Sequence, residues 1–138
     1  MQAADSGIAG QGTWARRDLS GFVAADAMAT VLRSAGVSFI FGQSCPTALF
    51  LAAEKLGIRQ IGYRTENAGV AMADGYARAS GRLGVVAAQN GPAAGLLIAG
   101  LCEALKASIP LLAIVQDVPR ASTDKNAFQE LDHVQLFQ

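Results

Sequence analysis

The sequence lacks a surplus of either charge. Lys plus Arg number 11 and Asp plus Glu number 11, giving a formal net charge of zero. No basic stripe or interleaving of aromatic and basic residues occurs, which argues against nucleic acid as a partner. Cysteine is scarce: Cys45 and Cys102 stand far apart, without metal-like spacing. That usage fits a reducing, cytoplasmic setting. Long apolar runs are missing too. The longest, around Leu96 to Leu105, is broken by Gly100 and Glu103 and is too short to span a bilayer. Met1 to Arg17 is rich in Gly, Ala and Ser and lacks the apolar run of a signal peptide. Residues 1–19 are expected to be a flexible leader ahead of one domain over residues 20–138.

What is present is a regular alternation. About half of the residues are hydrophobic, enough for a single core. Ser20 is placed to cap a helix carrying Phe22, Val23, Ala27, Met28, Val31 and Leu32 on one side and ending at Gly36. Val37 to Phe41 reads as a buried strand. Pro46 suits the first turn of a helix that runs to about Lys55 and stops at Gly57. Ile58 to Tyr63 is a second strand, and Thr65 to Ser80 a helix closed by Gly81. The row Ala71, Gly75, Ala79 on that helix is so small that it predicts a close neighbour. Leu83 to Ala88 is a third strand, and Gly91 to Ser108 a helix with Leu97, Leu101 and Leu105 four apart. Leu111 to Val115 is expected to be a fourth strand, buried on both faces. Pro119 to Asn126 is polar and loop-like, and Leu131 to Phe137 opens a further helix. This order predicts a three-layer α/β/α fold with a parallel sheet, C-terminally incomplete because the chain stops within an apolar segment.

In such sheets ligands gather beyond the carboxyl ends of the strands. That brings together the loops Gly42 to Pro46, Arg64 to Asn67, Gln89 to Pro92 and Gln116 to Pro119. Glu66 is the outstanding candidate, a carboxylate after a strand and at a helix start. Burial of such a group raises its pKa towards values useful for proton transfer. The plainer role is to complement the positive end of the helix dipole. Asn90-Gly91-Pro92 can bring backbone close to a ligand, or be a simple turn. It is no phosphate loop, since neither a G-x-G-x-x-G fingerprint nor a Walker lysine occurs. Cys45, before Pro46 at a helix start, has the setting of an activated thiol, but the single histidine, His133, lies far along the chain. A structural role is the simpler reading for both. Asp117 and Asp124 have no companion at metal-ligand spacing.

From Val37 to Gln138 the chain resembles the N-terminal pyrimidine-binding domain of the acetolactate-synthase-like family of thiamine-diphosphate enzymes. The resemblance is carried, in order, by Arg64-Thr65-Glu66-Asn67 and by Ala73-Asp74-Gly75-Tyr76-Ala77-Arg78-Ala79-Ser80-Gly81. Gly91-Pro92, Ser108-Ile109-Pro110-Leu111-Leu112-Ala113-Ile114, Val118-Pro119 and Ala127-Phe128-Gln129-Glu130 follow. It implies that Glu66 hydrogen-bonds N1′ of the cofactor's aminopyrimidine and favours the imino tautomer that deprotonates thiazolium C2. It implies further that Gly91, Pro92 and Ala93 line the pyrimidine pocket. Ser44, Cys45 and Pro46, with Phe128 and Gln129, would face the substrate. Gln129 joins Glu66 as the implied catalytic pair.

The sequence departs from the family pattern at three places, one of them on the substrate side. Thr65 stands where the family often has His. Gly91-Pro92-Ala93-Ala94-Gly95-Leu96 replaces Gly-Pro-Gly-Ala-Thr-Asn, and Ser44-Cys45-Pro46 replaces a Pro-Gly-Gly. Decarboxylase, carboligase and C–C hydrolase chemistry on a small 2-keto acid therefore all stay open. The family's Gly-Asp-Gly clamp for Mg²⁺ does not occur here. The resemblance thus implies a Mg²⁺-diphosphate site on another domain, an active site completed by a second subunit in a homodimer or homotetramer, and a chain inactive by itself. Two other readings stand beside it: the pyrimidine-binding subunit of a split decarboxylase, and a non-catalytic doubly wound binding domain.

Overall fold

A computed structural model describes residues 23–138. The expected leader, Ser20 and Phe22 lie outside the described residues. Helix α1 (Ala24–Ser34) is followed by β1 (Phe39–Phe41), α2 (Thr47–Lys55), β2 (Arg59–Ile61) and α3 (Glu66–Ser80). Then come β3 (Gly84–Ala88), α4 (Pro92–Gly95), α5 (Ile98–Lys106), β4 (Leu111–Val115) and α6 (His133–Leu136). All strand pairs are parallel, in the order β2-β1-β3-β4. This is the three-layer arrangement the alternation predicts.

The strand that anchors both layers is β3, whose five residues are all buried. Val85 and Ala87 face one core with Ala29, Leu32, Leu49, Phe50 and Ala53 of α1 and α2. Val86 and Ala88 face the other, with Val70 and Ala73 of α3 and Leu97. Burying one such valine contributes roughly 1.5–3 kcal/mol, so the alternation fixes the register of this central strand.

β4 differs from expectation. It is only partly covered, and Leu112 is 37% exposed. It lies at the edge of the sheet, paired with β3 alone, where the helices packed on the two faces cover it less completely than they cover β3. The inward face of α1 also differs. Ala29 and Leu32 are buried, with Ala25 packed behind them, while Val31 is 65% exposed and Met28 is open. Period alone does not choose between neighbouring faces; the docking of α1 on α2 does. Pro46 precedes α2 as its cap residue instead of entering its first turn. β1 and β2 are shorter than the apolar runs that contain them. The expected helix from Gly91 divides into α4 and α5, because the backbone tightens where Leu97 N–H reaches Ala94 O at 3.1 Å. Leu97 is fully buried, while Leu105 of the same row is 77% exposed.

On α3 the tight packing uses Gly69, Val70, Ala73 and Ala77. A Cβ on Gly100 of α5 would overlap Val70, and one on Gly84 would overlap the Ala73 carbonyl. The row Ala71, Gly75, Ala79 is exposed, and nothing lies within 4 Å of a Cβ built on Gly75. Among the described residues, the close neighbour predicted for that row is not found.

Candidate functional site

Two clusters of side chains organise the carboxyl edge of the sheet. In the first, the Gln43 amide donates to the carbonyls of Tyr63 and Arg64, both at 3.0 Å. Gln60 donates to the carbonyl of Gly42 at 2.9 Å and also to that of Gln43. The loops after β1 and β2 are thus tied together, which sets where α3 begins. Gly42 and Gly69 are the close-approach positions here: a Cβ on either would run into the rings of Phe50 and Tyr63 respectively.

Glu66 opens α3 and is half-buried. Thr65 is the cap residue but makes no side-chain capping bond. Among the described residues no hydrogen bond reaches the Glu66 carboxylate. Tyr63 is buried beside it and donates its hydroxyl to the Ala87 carbonyl at 2.8 Å. Burial, with the Glu66 charge adding to it, pushes the Tyr63 phenol up to about 12.

The second cluster surrounds the turn after β3. Asn90 is buried and donates to the carbonyls of Phe128 at 3.2 Å and Gln129 at 3.0 Å. Gly91 lies at φ 65°, ψ −122°, a backbone region that only glycine enters readily, and a Cβ there would overlap the Gln129 carbonyl. Its N–H donates to Nε2 of His133 at 2.9 Å. Pro92 occupies the first turn of α4 and is exposed; Ala93 is half-buried.

The segment holding Phe128 and Gln129 is fixed by Glu130, whose carboxylate accepts from Ala127 N–H at 2.8 Å and Asp124 N–H at 2.6 Å. Those bonds, the Ala127 one foremost, hold the Glu130 carboxyl below the usual range. Gln129 itself has φ 59°, and its side-chain oxygen is buried without a hydrogen-bond partner among the described residues. Phe128 is 82% exposed.

Of the residues singled out in the sequence, the structure joins Gly91 to Phe128 and Gln129 through Asn90, and the Ser44 loop to the loop of Glu66 through Gln43. It links the first cluster to β3 through the Tyr63 hydroxyl on the Ala87 carbonyl, but among the described residues no hydrogen bond joins Glu66 to Gly91 or Gln129. Cys45 is half-buried and Ser44 exposed, and neither bonds to His133. The Asp117 carboxylate accepts from Val118 N–H at 2.7 Å, whereas Asp124 takes part only through its backbone N–H, which donates to Glu130; among the described residues the two share no site. Among the described residues no three His, Cys, Asp or Glu side chains group in a way that could hold a metal. Gln43, Gln60, Tyr63 and the His133 contact carry no signal in the sequence, since each acts on backbone groups of a distant segment.

Residues 22–136 match the family described as thiamine pyrophosphate enzyme, N-terminal TPP binding domain. The chain belongs to this family. Among curated members, the acetolactate synthase of Arthrospira platensis is 41% identical over 73% of this chain and 18% of its own length. The chloroplastic acetolactate synthase of Arabidopsis thaliana is 36% identical over 81% of the chain and 17% of its own length. The acetolactate synthase large subunit of Parasynechococcus marenigrum is 35% identical over 96% of the chain and 22% of its own length. The chain therefore spans about a fifth of the curated relatives it matches. The domain that defines this family is named for TPP binding, and in this chain it is built on the parallel sheet β2-β1-β3-β4.

Proposed function

We propose that residues 20–138 form the pyrimidine-binding part of a thiamine-diphosphate enzyme of the acetolactate-synthase type, acting on small 2-keto acids as a decarboxylase or carboligase. The observation that carries this reading is the Glu66 carboxylate, half-buried at the start of α3 and left without a hydrogen bond by the described residues. The donor and acceptor set suits an aminopyrimidine. Glu66 offers a carboxyl group able to share a proton with a ring nitrogen, and Gln129 offers a buried acceptor without a hydrogen-bond partner among the described residues.

When bound, the cofactor supplies the electron sink for breaking the bond beside a 2-keto carbonyl. Glu66 holds and returns the proton at N1′ of the ring. Gly91, Pro92 and Ala93 would line the pyrimidine pocket, in a turn held by the Asn90 bonds to the carbonyls of Phe128 and Gln129. Ser44, Cys45, Pro46, Phe128 and Gln129 face the substrate. The diphosphate and its Mg²⁺ are assigned to another domain, contributed by a second subunit of a homodimer or homotetramer.

The test is Glu66→Gln in the enzyme that carries this domain. General acid–base groups contribute about 100- to 10,000-fold, so hydrogen–deuterium exchange at thiazolium C2 with cofactor saturating should slow by that order. Cofactor affinity should fall far less, because the amide keeps one hydrogen bond and the diphosphate is held elsewhere. Unchanged C2 exchange would leave Glu66 as a helix-start residue and favour the non-catalytic binding domain.

A further inference from the structure

His133 stands at the meeting of three elements. Its Nε2 accepts from Gly91 N–H at 2.9 Å, so that nitrogen carries no proton and the neutral ring carries its proton on Nδ1. Nδ1 in turn lies 3.7 Å from Oδ1 of Asp117, in the loop after β4. The side chain is only 12% exposed. The remaining walls are uncharged: Leu101 of α5, Ala113 and Val115 of β4, and Val134 and Phe137 border the same hollow. On its own element the neighbouring Asp132 is engaged with Gln135 N–H at 2.9 Å. The Gly91 turn contributes only the neutral Asn90. Among the described residues Asp117 is thus the one charged group facing the ring, and it sits opposite the Gly91 bond.

The two sides ask for opposite charge states. A second proton on the imidazole fills the Nε2 lone pair and sets two donors, Nε2–H and Gly91 N–H, against each other. The same proton strengthens the attraction to Asp117. We propose that His133 is a positioning residue that latches the Asn90–Gly91–Pro92 turn: the neutral ring holds the turn, and the protonated ring releases it towards Asp117. This rests on the reading of Gly91 as a wall of the cofactor pocket, and gives that pocket a dependence on pH that does not pass through Glu66. Asn90 ties the same turn to Phe128 and Gln129, so release reaches the substrate-facing segment as well.

The test is amide exchange of the segment around Gly91, read by mass spectrometry in the intact enzyme without cofactor and corrected for intrinsic exchange. Because Pro92 has no N–H, short peptides there report on few amides. Imidazoles ordinarily change charge between about pH 5 and about pH 8. Wild-type protection should fall roughly tenfold from the upper to the lower of these values, as expected for loss of a hydrogen bond. His133→Gln, whose Oε1 can accept from Gly91 but does not titrate, should stay protected at both. His133→Phe, which fills the space without an acceptor, should be unprotected at both while β3 stays protected. A pH response that survives in His133→Gln, or protection in His133→Phe equal to wild type, would overturn the latch. If His133→Phe fails to fold, the comparison of wild type with His133→Gln still decides.

Thiamine diphosphate affinity of the wild type should show an additional fall of about two- to tenfold over the same range, absent in His133→Gln. A responsive turn with no such difference would overturn the place of Gly91 in the pocket and leave the latch standing.

Discussion

From the loop after β2, the Tyr63 hydroxyl donates to the Ala87 carbonyl of β3 at 2.8 Å, its ring lying against Gly69 of α3. Burial and the nearby Glu66 charge raise this phenol to about 12, so folding favours its protonated form. The stability linked to it is full below the ordinary tyrosine value, about 10, and is lost as pH rises from there through the folded value. Denaturant midpoints measured on the alkaline side should fall more steeply for wild type than for Tyr63→Phe. Near neutrality the variant should be less stable by about 1–3 kcal/mol, because the buried Ala87 carbonyl loses its partner. Parallel alkaline curves for the two proteins would contradict this account.

Gly91→Ala forces a side chain into a positive-φ conformation and into the Gln129 carbonyl. The strain alone is about 1–3 kcal/mol, and the overlap adds to it. Thermal unfolding should show that loss, and thiamine diphosphate affinity should drop with it, since the altered backbone is the proposed wall of the pyrimidine pocket. A Gly91→Ala protein with wild-type stability would mean that the turn adopts another conformation.

Two helical glycines should respond in opposite ways. Gly100→Ala drives a methyl group into Val70, a stiff side chain, and should cost about 1–3 kcal/mol. Adding Val70→Ala should recover part of it, a coupling that a double-mutant cycle would detect. Gly75→Ala meets open space in the middle of α3 and should stabilise the isolated chain by about 0.8–1.0 kcal/mol. If a second subunit packs on the Ala71, Gly75, Ala79 row, Gly75→Leu should weaken assembly in a sedimentation experiment while leaving the fold intact. Unaltered assembly would move that interface elsewhere.

The alternation of helices and strands, the parallel character of the sheet and the position of Glu66 at a helix start can all be read along the chain. Those follow from local causes: hydrophobic period, glycine after a helix, proline before one, and a short apolar run between turns. The family motifs added residue order to that pattern. Tertiary structure alone decided which side of α1 turns inward, that β4 is an edge with Leu112 open, and that α3 packs through Gly69, Val70, Ala73 and Ala77. It also decided that Gln43 and Gln60 tie two loops, and that His133 reaches back 42 residues to Gly91. Each of these depends on which surfaces meet. A side chain that satisfies a distant backbone group leaves no period in its own neighbourhood, so its partner is set only when the sheet brings the two segments together.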